Sequence, residues 1–249
     1  MPVAAPPHTS LNPRRSFSVT VRYGGVALLL ALAAANVSAQ VSGTASLVSN
    51  YRFRGITLSE NNPAAQLGVV YDDAQGWYAG AFASTVEFAT SSGVELQAVP
   101  FLGYTWRNDA GVSWEAGTDY SAFSGSAQDH NYPELYVGMA AEHVSARLYY
   151  SSRYFGQNTA TLYGEINASE PLIDRVRLIA HIGVLQSTHG KLYYGGPDQL
   201  IDGRVGVGIE WEAFDVQLSW VGINAATAMY GVTGVRSRNG LVLTLSRPF

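Results

Sequence analysis

The chain has 249 residues, 47% of them hydrophobic and 14% charged, and its 15 basic and 19 acidic side chains leave a formal charge of −4. That balance excludes a nucleic-acid binder, which needs a basic face, and the absence of cysteine excludes a disulfide framework, a cysteine zinc cluster and a thiol nucleophile. Twenty-six glycines, 15 tyrosines and a single lysine, Lys191, describe a chain rich in strand and turn formers, long enough for one large β domain.

The first element is an address label. Arg14, Arg15 and Arg22 precede the apolar run GVALLLALAAANVSAQ (25–40), which ends on the small residues Val37 and Ala39 before a cut at Gln40. A membrane-crossing helix needs ~20 apolar residues, so the shorter run reads as a secretory signal peptide over 1–39, with the mature domain at 40–249. PRRSFSV also holds the paired arginines of a twin-arginine signal, and the choice between the two export routes stays open. Cleavage removes three of 15 basic residues and no acidic ones; 12 against 19 leaves the mature chain at −7.

From residue 43 onward apolar side chains recur at every second position, the period of a strand, in about twelve segments of the ~10-residue length that spans a tilted barrel wall. Ala65, Leu67, Val69 and Tyr71 alternate with Gln66, Gly68 and Asp72, and Leu135, Val137, Met139 and Ala141 with Glu134, Tyr136, Gly138 and Glu142. Val144 to Ser151 and Arg204 to Trp211 repeat the pattern. Short turns at 72–76, 107–111, 142–145, 169–174 and 212–215 alternate with connections near 55–62, 89–93, 122–131, 156–160, 187–200 and 225–238. Short inner turns and longer outer loops predict an all-β, transmembrane, antiparallel up-and-down barrel in the bacterial outer membrane. The last strand, GLVLTLSRPF, sets Leu241, Leu243, Leu245 and Phe249 on one face and resembles the C-terminal signal read by the barrel-assembly machinery, with Arg247 interrupting it.

The segment SNYRFRGITLSEN (49–61) poses the question of which strand face is dry. Arginine at the lipid midplane costs ~2–4 kcal/mol, so parity predicts Leu47, Tyr51 and Phe53 against lipid, and Val48, Asn50, Arg52 and Arg54 toward an aqueous lumen. The same parity sends Glu87, Glu95, Glu115, Asp119, Glu134, Glu165, Asp202 and Glu210 inward as acids, and Arg147, Arg153, Arg177 and Arg204 as bases. Rows of opposite charge would orient water and polar solutes across the lumen, or would pair and fill it. About twelve strands leave more room than the roughly eight whose side chains fill a barrel, which favours a channel over a plug. Of Trp77, Tyr78, Tyr104, Trp106, Trp114, Tyr132, Trp211 and Trp220, near strand ends, several are read as interfacial girdles, with a carbohydrate-stacking surface the alternative for some.

SLVSNYRFRGITLSENNPAAQLGVVYDDAQGWYAGAFASTVEF (46–88), with YYSSRYFG (149–156) and the closing LTLSRPF, resembles the TorF family of porin-like outer-membrane proteins. The resemblance covers nearly the whole mature chain. It implies an outer-membrane porin barrel and carries no catalytic residues with it.

No phosphate loop, HExxH motif or nucleotide fingerprint is present. Among the histidines, His181 falls on the lumen side, wrong for a lipid-facing hydrolase site, and Asp129 and His130 are adjacent, so on an extended chain they point apart. The sequence therefore predicts a non-enzymatic channel without cofactor or metal. Its partners would be outer-membrane lipid, the assembly machinery at Phe249 and small hydrophilic solutes. A closed barrel serving surface interaction is the alternative, and an outer-membrane hydrolase a more remote one.

Overall fold

The computed structural model describes residues 40–88, 93–192, 198–224 and 238–249. The signal peptide expected over 1–39 lies outside the described residues, as do most of the loops expected near 89–93 and 225–238.

The strands in chain order are β1 (Gln40–Val48), the short β2 (Arg52–Phe53) and β3 (Ile56–Thr57), β4 (Ala64–Asp72), β5 (Trp77–Val86), β6 (Glu95–Arg107) and β7 (Ser113–Phe123). They continue with β8 (Tyr132–Ala141), β9 (Val144–Ser151), β10 (Ala160–Ile173), β11 (Val176–His189), β12 (Gln199–Trp211), β13 (Phe214–Ile223) and β14 (Asn239–Pro248). All but β2 and β3 form one closed antiparallel barrel in which sequence neighbours are wall neighbours and β14 returns to β1. Leu47 pairs with Leu245 across that seam, and Gly43 and Phe249 exchange both backbone hydrogen bonds, at 3.0 and 2.9 Å. Closure leaves no unpaired sheet edge in the bilayer, where no water would satisfy one.

The hairpins at one end are tight, at 73–76, 108–112, 142–143, 174–175 and 212–213. In the last three, Glu142, Arg175 and Glu212 take the left-handed backbone that two-residue hairpins demand. The sequence places a turn at 169–174, yet β10 runs on to Ile173. Pro171 sits at a register shift, where its missing N–H is tolerated.

The outer face is apolar and uncovered. Leu135 is 60% exposed, Leu218 52% and Leu243 51%, along with Leu67, Leu102, Leu148 and Ile182 on other strands. In water such a continuous patch would aggregate; in a bilayer it is the dry face. The chain is thus an integral outer-membrane barrel.

Trp77, Tyr104, Trp106, Trp114 and Trp211 stand exposed near the tight-turn end, with Trp77 and Tyr104 rings 5.1 Å apart, and suit an interfacial belt. Arg247 belongs to this belt, its guanidinium 5.8 Å from the Phe214 ring, so the charge that interrupts the last strand's apolar face lies near the headgroups. Tyr78 and Tyr132 are corrections to the girdle: both are buried inside the barrel. Each is one residue from a side chain of opposite orientation, so the pleat turns it inward regardless of its nearness to a strand end.

A buried apolar cluster fills part of the long-loop end. Ile56 and Leu58 from the segment after β1 meet Phe88, Phe123, Tyr132, Phe155 and Leu185 there. Short 3-10 turns at Gly125–His130 and Tyr154–Gly156 supply Ala127, Tyr154 and Phe155.

Candidate functional site

The lumen is divided by the segment 49–63, which leaves the wall after Val48 and crosses the interior as a strap. Its β2–β3 ribbon pairs Arg52 with Thr57 and Phe53 with Ile56. Arg54 at its tip reaches Glu134 on β8, with Nη2 2.7 Å from Oε2, and its guanidinium carbon lies 5.2 Å from the Tyr149 ring on β9 and 4.1 Å from Tyr163 on β10. In the strand order β9 stands diametrically opposite β1. A tether between β1 and β4 therefore spans the full width of the barrel.

This overturns the lipid-facing assignment of Tyr51 and Phe53. The Tyr51 hydroxyl donates to Gln97 Oε1 at 2.9 Å, and the Phe53 ring lies 6.2 Å from Phe155, both inside the barrel. Pleat parity holds only while the chain stays in the sheet, and here β1 ends at Val48, three residues before Tyr51.

The strap has two faces. Phe53, Ile56 and Leu58 pack toward the apolar cluster, and each fully buried side chain of this size contributes ~1.5–3 kcal/mol. On the polar side the Asn50 amide donates to Asn61 Oδ1 (2.9 Å), Thr57 Oγ1 to Asn50 Oδ1 (2.7 Å) and Arg52 Nη1 to the Gly55 carbonyl (3.0 Å). Arg54, Glu60 and Asn61 adopt left-handed backbone, with φ of 48°, 51° and 62°. Such strain costs on the order of 1 kcal/mol per residue and marks a conformation imposed by surrounding contacts. Burial opposes the charge of Arg54, but the Glu134 carboxylate together with the surrounding Tyr154 and Tyr132 outweighs it, so the guanidinium is held well above its ordinary range.

Below the strap lies a cavity of about 900 Å³. Its lining includes Arg52, Arg54, Glu115, Asp119, Glu134, Arg147, Glu165 and Arg204, with Asp202 and Asp72. Arg147 grips Glu115 with two nitrogens, Nη2 to Oε2 at 3.1 Å, and Glu115 also accepts from the Tyr78 hydroxyl at 2.8 Å. Opposite, His181 Nε2 lies 2.9 Å from Asp202 Oδ1 and Nδ1 2.8 Å from Asn167 Oδ1, while Tyr163 donates to Asp202 Oδ2 at 3.2 Å. Among the described residues Asp119 and Arg204 make no ion pair.

The remaining charges lie elsewhere. Glu87 sits at the long-loop rim and accepts from Asn62 of the strap at 2.7 Å, and Glu95 packs on Gly125. Arg153 is exposed beside the Tyr154–Gly156 turn, beyond the end of β9. Arg177 is held between Asp215 (2.7 Å) and Glu210 (3.9 Å), near the tight-turn mouth.

Sequence reasoning missed the aromatic lining and its floor. Tyr78 lies over Gly103, Phe101 over Gly80 and Tyr136 over Gly117, close enough that a Cβ on these glycines would meet a ring atom at 2.4–2.5 Å. Rings flattened against bare backbone take up less of the lumen than rings standing on end. The signal was present as Gly residues on the inward parity of β5, β6 and β7 paired with aromatics on a neighbouring strand.

The family described as "Bacterial protein of unknown function (Gcw_chp)" matches residues 32–249. A search of curated proteins finds no match. Among solved structures, a KdgM porin in complex with disordered oligogalacturonate is similar over 84% of this chain and 97% of its own, at 13% identity and a TM-score of 0.50. A structure from work on the in-meso crystallization of membrane proteins overlaps 84% of this chain and 83% of its own, at 9% identity and a TM-score of 0.53. At these identities the likeness is one of fold.

Proposed function

The chain belongs to the Gcw_chp family, a bacterial family of unknown function, and from that premise we propose that it is a porin-like channel passing small hydrophilic solutes by diffusion. The observation that carries the reading is the cavity of about 900 Å³, walled by polar and charged side chains and kept clear by rings lying flat on glycines. The strap is then the constriction, and its polar side past Arg52, toward β14, is the passage. Export by the signal over 1–39 and assembly through the strand ending at Phe249 belong to the same proposal, and the resemblance to the TorF porins supports it.

The oligogalacturonate of the KdgM complex does not carry over. The cavity lining holds Asp72, Glu115, Asp119, Glu134, Glu165 and Asp202 against Arg52, Arg54, Arg147 and Arg204, six carboxylates to four guanidiniums. Such a lumen disfavours a polyanion and suits neutral or cationic solutes.

A closed barrel serving surface interaction is favoured by one feature, the strap and its buried cluster at the long-loop end. Liposome swelling separates the two readings. Proteoliposomes holding the refolded mature chain should swell in small neutral sugars, and more slowly as sugar size grows; no swelling with a correctly folded barrel would sink the channel.

A further inference from the structure

Arg54 sits in the lumen as a bound cation would. Its guanidinium carbon lies 4.1, 4.8, 5.2 and 5.3 Å from the rings of Tyr163, Phe53, Tyr149 and Tyr154, and Glu134 closes the shell at 2.7 Å. Aromatic faces and a carboxylate around a planar cation compensate for its lost hydration. Only Phe53 of these partners comes from the strap. Glu134, Tyr149 and Tyr163 belong to the wall and Tyr154 to a wall-anchored turn, so most of the cage stands without the strap.

The internal occupant is also an imperfect one. It touches Glu134 through a single nitrogen, and Arg54 Nη1 and Glu134 Oε1 are buried with no hydrogen-bond partner among the described residues, in side chains only 5% and 4% exposed. A tethered guanidinium approaches with one edge, whereas a free one can offer two parallel N–H groups to both carboxylate oxygens. Asp119 stands directly across from Glu134 in the β7–β8 register, half-buried and without an ion pair among the described residues. The wall therefore sets two carboxyl groups side by side against one strap cation, an arrangement that a further positive charge would favour.

We propose that this cage is a binding site for small alkylguanidinium solutes and that Arg54 is its built-in competitor, occupying it while the strap is docked. The site would be the recognition step of the channel proposed above and rests on that reading for its role. A solute that takes the cage releases the strap tip, and the strap redocks when the solute leaves.

Ethylguanidinium, with the uncharged isostere ethylurea as control, tests this on the refolded barrel in detergent, read by intrinsic fluorescence and by the thermal midpoint. Arg54→Ala should bind ethylguanidinium saturably and at least tenfold more tightly than the native chain, ethylurea should give no saturable signal, and adding Glu134→Gln should weaken binding at least tenfold. Arg54→Gln gives the same comparison if the alanine variant does not refold. In the native chain, saturating ethylguanidinium should increase chymotrypsin cleavage after Phe53. Binding no tighter than native in the Arg54 variants, equal binding of ethylurea, or unchanged cleavage would overturn the cage. Conductance recorded on the same samples keeps the two proposals apart: channel steps without guanidinium binding remove the cage and leave the channel, and binding in a silent barrel does the reverse.

Discussion

The wall and the strap are held by opposite means. The wall closes through a continuous ladder of backbone hydrogen bonds, and its side chains need only be apolar outside and polar inside. The strap has a two-pair ribbon and a few backbone bonds to the wall, such as Glu87 N–H to the Leu58 carbonyl, and otherwise depends on side chains: one buried ion pair, a set of rings, two buried aliphatic residues and a few polar hydrogen bonds. Many weak, redundant terms make the wall tolerant, whereas a few large ones make the strap sensitive to single changes. A channel assembled this way keeps its outline fixed and concentrates its adjustable part in fifteen or so residues of one loop.

The largest single-site effect should fall on the strap. Glu134→Ala leaves the Arg54 charge buried without its partner, a loss of ~3–5 kcal/mol, and should undock the strap while the barrel persists. Limited trypsin digestion should nick the variant after Arg52 or Arg54 with the barrel still running as a folded, heat-modifiable species on a gel. Resistance equal to native would mean that the rings alone hold the strap.

Next comes the wall's own rule. Leu218→Arg puts a charge on the lipid face in mid-strand and should cost ~2–4 kcal/mol in urea unfolding, whereas Gln217→Arg, one residue away on the lumen side, should fold nearly as the native chain does. Equal costs would break the assignment of dry and wet faces. A smaller effect is expected from Gly117→Ala, whose new methyl would strike the Tyr136 ring. Overpacking of this kind costs ~1–3 kcal/mol, and swelling should slow as the displaced ring enters the lumen. Smallest is Arg52→Gln, which should raise cation over anion permeability by roughly twofold, the scale of a screened charge worth ~0.5 kcal/mol. An unchanged reversal potential would take the passage away from Arg52.

Period-two alternation carried nearly all of the wall, because a pleated strand leaves each side chain only two directions and lipid penalises the wrong one. Tyr78 shows where that rule was readable but was overridden: Trp77 faces out, so its neighbour must face in. The strap was not readable in the same way. Gly55 and Pro63 punctuate a loop, but where a loop packs depends on contacts remote in sequence, such as that of Arg54 with Glu134, 80 residues away. Arg153 was placed by extending parity past the end of β9, into a turn where it no longer applies.

The most direct test of strap control is single-channel conductance in planar bilayers, native chain against Glu134→Ala. Stepwise conductance is expected for both, several-fold larger in the variant. Equal conductance in the two, or silence from a folded barrel in both, would contradict it.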